Sequence, residues 1–107
     1  MPDEFMTVAR ADQVIDRQLH RVEIDERPIV LTRVDGRLCA LSAICTHEHV
    51  ELVAGEVDED TLWCPVHASG FNVFTGEVTS LPATEPLPVY EVREVDGLVQ
   101  VSRRPRA

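Results

Sequence analysis

The chain has no lysine. All ten of its basic residues are arginine, set against nineteen acids in 107 residues, for a formal net charge of −9. Between Arg37 and Arg93 there is no basic residue at all, yet nine acids lie there: Glu48, Glu51, Glu56, Asp58, Glu59, Asp60, Glu77, Glu85 and Glu91. The other ten acids balance the ten arginines, so the net charge falls in the middle of the chain. Such a surface repels phosphate, which argues against nucleic acid and anionic membranes as partners and favours a basic protein surface. The plain alternative is a solvated acidic face that only aids solubility.

Other absences narrow the class further. Three cysteines cannot build a disulfide framework, which points to a reduced, cytoplasmic setting. No apolar run approaches the ~20 residues of a membrane span, and no charged-then-apolar leader opens the chain, so a membrane anchor is not expected. No amphipathic run is long enough for a major helix, and there is neither an internal repeat nor a low-complexity linker. A length of 107 residues predicts one domain, 1–107, with a modest core and little room for a large substrate pocket. At 44% hydrophobic and 27% charged, the composition is that of an ordinary globular protein.

What is present reads as β-structure. Phe5–Arg10 suits a first strand, and Ala11–Asp16 a turn or single helical turn. Leu19–Ile24 alternates Leu19, Arg21 and Glu23 against His20, Val22 and Ile24, the pattern of a half-buried strand. Pro28–Val34 and Arg37–Leu41 flank Asp35-Gly36, while Val89–Val95 and Leu98–Ser102 flank Asp96-Gly97; both are two-residue hairpin signals. Arg103–Ala107 reads as a frayed tail. From Ile44 to Gly76 alternation fades, loop residues accumulate, and three of the four histidines occur. Pro82, Pro86 and Pro88 then suit an extended covering loop. The expectation is a β scaffold carrying one loop-built site.

Two clusters carry chemistry: Cys45-Thr46-His47 and Cys64-Pro65-Val66-His67. Each places a thiolate and an imidazole within three residues of one another. Two such loops can converge on one centre with two sulfur and two nitrogen ligands, a set used by tetrahedral zinc and by a [2Fe–2S] cluster with histidines on one iron. The order is C-x-H, sixteen residues, then C-x-x-H, within the text CTHEHVELVAGEV and LWCPVHASGFNVFTGEVTSLPA. This text resembles the Rieske ferredoxin family over most of the length. The likeness covers both ligand loops, the Phe and Thr-Gly beyond the second, a Leu-Pro-Ala segment like the family's covering loop, and the terminal Asp-Gly hairpin. A structural zinc module remains the alternative, although zinc fingers usually pair like with like in each half-site.

The resemblance implies an all-β Rieske fold: an antiparallel β-sandwich scaffold with a small cluster-binding subdomain at about 44–76. It also implies that Cys45 and Cys64 hold an inner iron, and that His47 and His67 hold an outer iron through Nδ1. His49 reads as an exposed loop histidine, Cys39 as a small buried strand residue, and Trp63 as a shield for the cluster; His20 has no cluster of partners. Respiratory members of the family carry an extra cysteine in each ligand loop, whereas Val66 fills the second such position here. Those members also place hydroxyl donors two and four residues after the second histidine, where this chain has Ser69 and Phe71. Ala68 stands where a glycine is common, and Asn72 where an aspartate often follows the aromatic. These departures put the local loop geometry in question.

Rieske oxygenases need a second, catalytic iron domain, for which this chain has no room. The resemblance therefore implies a free-standing electron carrier, like the ferredoxin component of an aromatic-ring-hydroxylating dioxygenase. Such a carrier takes electrons from an NADH-dependent flavoprotein reductase and passes them to a terminal oxygenase, with a monomer as the default state. The rival with similar fold and length is the small subunit of an assimilatory nitrite reductase, whose members often lack the ligands that this chain has.

Overall fold

Both Asp-Gly pairs turn hairpins. In a computed structural model of the chain, Asp35 and Gly36 have φ of 52° and 86°, and Asp96 and Gly97 have 54° and 78°. Two successive left-handed residues make the turn whose twist matches that of the strands it joins. The structure describes residues 5–47, 50–66 and 68–106. Its strands are β1 (Phe5–Arg10), β2 (His20–Ile24), β3 (Arg27–Val34), β4 (Arg37–Ser42), β5 (Glu56–Asp58), β6 (Thr61–Trp63), β7 (Gly70–Asn72), β8 (Val78–Ser80), β9 (Val89–Val95) and β10 (Leu98–Pro105). Single 3₁₀ turns occupy Ala11–Gln13 and Leu52–Ala54, and the described residues hold no α-helix. None is therefore long and apolar enough to cross a membrane.

The chain is all-β. Six strands form one antiparallel sheet in the order β1-β10-β9-β4-β3-β2, and four short strands form a second in the order β5-β6-β7-β8. The first sheet curls until its edge strands β1 and β2 touch. Alternation along β3 and β4 explains how one sheet serves two cores. Ile29, Leu31 and Ala40 face the curled interior with Ile24, Tyr90 and Val99. Val30, Cys39 and Leu41 face the other way and pack with Leu62 and Phe71 of the second sheet and with Val73 just beyond it. The unbroken apolar run Ile29–Leu31 is thus a strand covered on both faces.

Two expectations need correcting. Arg103–Pro105 does not fray: β10 continues to Pro105, which pairs with Tyr90. Long-range bonds hold it there, because Arg27 donates to the Arg103 carbonyl at 3.0 Å and the Arg106 N–H donates to the Val89 carbonyl at 2.7 Å. The middle of the chain is also not loop alone. It carries β5, β6 and β7, and the sheet extends past Gly76 to take in β8. Three-residue strands give too short an alternation for the period of two to stand out.

Candidate metal centre

Each ligand loop is closed by the same device. At the end of β4 the chain reaches Cys45, whose N–H donates to the Val50 carbonyl at 2.9 Å; the Leu52 N–H donates to the Ala43 carbonyl at 2.7 Å below it. At the end of β6, beyond the pair Trp63↔Gly70, the Cys64 N–H donates to the Ser69 carbonyl at 2.8 Å. Both cysteines therefore sit at the first position of a loop whose neck is pinned by their own amide. Cys45 is 0% and Cys64 4% exposed, and both belong to the core that contains Leu52, Leu62 and Phe71. His47, two residues further along, is exposed. His67, together with Glu48 and His49, lies outside the described residues.

The segment 81–88 straps both loops. The Thr46 hydroxyl donates to the Glu85 carbonyl at 2.8 Å, and the Ala83 N–H donates to the Ser69 hydroxyl at 3.1 Å. Ala83 and Leu87 are buried and anchor the strap, while Pro82, Pro86 and Pro88 lie at the surface. The prolines suit a segment with few amide hydrogens to satisfy.

The departures at Ala68 and Asn72 have different local consequences. Ala68 takes φ 55°, the left-handed conformation in which glycine is free, and its methyl costs about 1–2 kcal/mol there. The Asn72 Oδ1 accepts from the Phe74 N–H at 2.8 Å and the Thr75 N–H at 3.1 Å. A carboxylate would offer the same acceptor, so the turn after β7 survives the exchange.

Two arginines tie the first half of the chain to the site region. Arg21 on β2 forks onto Glu51, with Nε to Oε1 at 2.6 Å and Nη2 to Oε2 at 3.1 Å, one residue past the first loop's neck. The guanidinium hydrogen bonds hold the Glu51 carboxyl below the usual carboxylate range, and donating to Glu51 and Glu23 raises Arg21 further. Arg17, paired with Asp16 and Asp35, donates to the Glu59 carbonyl at 3.1 Å in the β5–β6 turn. Sequence reasoning missed these ties and both strap bonds. Thr46 sits inside a visible motif, but nothing in the sequence marks its partner 39 residues away.

The other residues singled out from the sequence lie on strands. Cys39 lies in β4, and burial pushes its thiol up to about 11, so it stays protonated and unreactive at neutral pH. His20 opens β2. Trp63 is half-buried at the end of β6, directly before Cys64.

The described donors put both sulfurs inside, in apolar surroundings, and the His47 imidazole outside. That suits a two-iron cluster with unlike ends better than a closed site of four equivalent ligands. Comparison with known proteins agrees. The model of the Rieske [2Fe-2S] domain matches residues 4–91, and the chain belongs to that family, whose cofactor is a [2Fe–2S] cluster. It is 36% identical over 77 residues to the anthranilate 1,2-dioxygenase ferredoxin subunit of Burkholderia cepacia, covering 72% of this chain and 71% of that one. It is 34% identical to ferredoxin CarAc of Metapseudomonas resinovorans, covering 92% of each. Among solved structures it superposes with TM-score 0.91 and 32% identity on a chain of the complex of reduced oxygenase and oxidized ferredoxin in carbazole 1,9a-dioxygenase, with 97% of each chain covered.

Proposed function

We propose that the protein is a one-electron carrier that takes electrons from an NADH-dependent flavoprotein reductase and delivers them to a terminal oxygenase acting on aromatic rings. The observation that supports this most is the pairing, within one pinned loop, of a fully buried Cys45 with an exposed His47. The 34% identity to ferredoxin CarAc, over 92% of each chain, supports the same reading. No catalytic residue is assigned.

In this reading Cys45 and Cys64 hold the inner iron, and His47 and His67 the outer one. When bound, the cluster accepts and returns one electron, and neutral imidazoles place its potential between about −150 and +300 mV, above that of all-cysteine ferredoxins. The chain supplies the rest. Leu52, Leu62 and Phe71 keep water from the sulfur side, the strap at 81–88 covers the loops, and the His47 edge offers a partner a short path. The carrier works as a monomer in the cytoplasm, docking transiently with each partner.

Iron, acid-labile sulfide and zinc analysis, together with the EPR spectrum of the reduced protein, tests the assignment. Wild type should carry iron and sulfide in equal amounts and give a Rieske signal; His67→Ala should lose both. Zinc in place of iron, or a normal signal in His67→Ala, would overturn it.

A further inference from the structure

The second sheet has an outer face that none of this accounts for. Along β5 and β6 the inward residues are Val57 and Leu62, which pack into the core. The period of two therefore turns Glu56, Asp58, Thr61 and Trp63 outward. Register places Glu56 directly across from Trp63, and Trp63 directly across from Gly70. Directly opposed side chains on one face have Cβ atoms about 4.5–5.5 Å apart. The indole leans onto Gly70, where an added Cβ would come within 3.0 Å of its Cζ3. On the Glu56 side a groove of about 460 Å³ remains open, reaching Cys64 and walled by Ala54, Pro65 and Ala68.

Charge marks what this groove lacks. Among the described residues, arginines answer Asp12, Asp16, Glu23, Asp25, Asp35, Glu51, Glu91 and Glu94. No described ion pair reaches Glu56, Asp58, Glu59 or Asp60, all of them on the β5–β6 hairpin. There is no arginine or lysine between Arg37 and Arg93; Arg17 reaches the Glu59 carbonyl at the turn end of the hairpin, but the described lining of the groove holds no cation. The lining of the groove is then one unanswered carboxylate, one indole and small apolar walls.

We propose that this groove seats a single arginine or lysine side chain of a redox partner protein, with Glu56 as its counter-charge and Trp63 as the wall for its stem. The proposal rests on the electron-carrier reading above. An indole face and a carboxylate together attract a cation, and the apolar walls suit its methylenes. The seated side chain would register the partner against the Cys64 side of the centre as well as its histidine edge. Ala68, whose methyl forms part of the wall, would help set which partners fit.

The test uses the cluster-loaded protein and, as acceptor, a lysine-rich c-type cytochrome, followed by stopped flow across a salt series. Glu56→Gln should slow the second-order rate at low salt by about fivefold and flatten its salt dependence. Ala54→Leu, which fills the groove without changing charge, should slow it comparably, with Ala54→Met as a second filling variant. Glu77→Gln removes an acid outside the groove and should cost less than about twofold. Equal effects from Glu56→Gln and Glu77→Gln, or wild-type rates in both filled variants, would overturn the groove in favour of a diffuse field. The reduced-state EPR spectrum separates the two levels. A missing Rieske signal in wild type overturns the carrier reading, whereas an intact signal with no groove effect overturns this proposal alone.

Discussion

Phe71→Tyr should raise the reduction potential, and the structure bounds the amount. Phe71 is 0% exposed and lies in the core that holds both Cys45 and Cys64. Its ring offers no hydrogen-bond donor, so the sulfur side of the centre receives none from this position. A donor to a ligand sulfur stabilises the reduced state, which carries the extra electron. A net hydrogen bond of about 0.5–1.5 kcal/mol corresponds to roughly 20–65 mV for one electron, since a tenfold ratio is about 59 mV. Wild type should lie near about −150 mV, at the low end of the family's range. Protein-film voltammetry reads both values, and thermal unfolding supplies the cross-check. A buried hydroxyl without a partner costs about 1–3 kcal/mol, or roughly 5–20 °C in Tm for a domain of this size. A bonded hydroxyl therefore shifts the potential and spares the Tm, while an unbonded one does the reverse. A lowered Tm with an unmoved potential would refute the proposed cause, and a wild-type potential well above zero would refute the low-potential assignment.

Arg21→Gln removes the fork onto Glu51, whose folded pKa lies below its unfolded value. A depressed carboxyl contributes stability at pH above its ordinary value of about 4.3, and loses it as pH falls through the folded value. The variant should thus be less stable at pH 7 in urea denaturation, and the gap to wild type should shrink towards pH 3; a gap indifferent to pH would refute the linkage. At Asn72, replacement by Asp should change stability by less than about 0.5 kcal/mol, because the acceptor is kept. Asn72→Ala loses bonds to two amides and should cost about 1–2 kcal/mol in the same assay, with an unchanged denaturation midpoint counting against the turn.

Features that announce themselves locally could be read from the sequence, and features made by distant partners could not. The Asp-Gly hairpins and β1 depend on residues within a few positions of each other and were legible, and the two Cys-His motifs stand out in the text of the sequence for the same reason. The end of β10 was not, because Arg103–Pro105 is intrinsically a plausible tail; it is ordered by Arg27, Val89 and Tyr90, far away in sequence. The second sheet was hidden by its size, since Glu56–Asp58 and Thr61–Trp63 each offer one alternation. At the site, residue types identified candidate ligands, but not the strap bonds from Thr46 and Ser69 or the fork from Arg21. Those pairings exist only once the topology has set their partners side by side.

The matched necks of the two ligand loops bear on how fast an electron can be handed over. Transfer is slowed by whatever must rearrange when charge arrives, whether solvent or polypeptide. Here each cysteine is fixed by its own amide, both loops are bolted to one strap, and the sulfur side is sealed in hydrocarbon. Dipoles already in place need not turn at the moment of reaction. In the proposed reading the structural cost of reorganisation would be confined to the wet edge at His47, and closing a partner over that edge would remove much of the remainder. Docking would then lower the barrier by drying the histidine side as well as by bringing the two centres within reach.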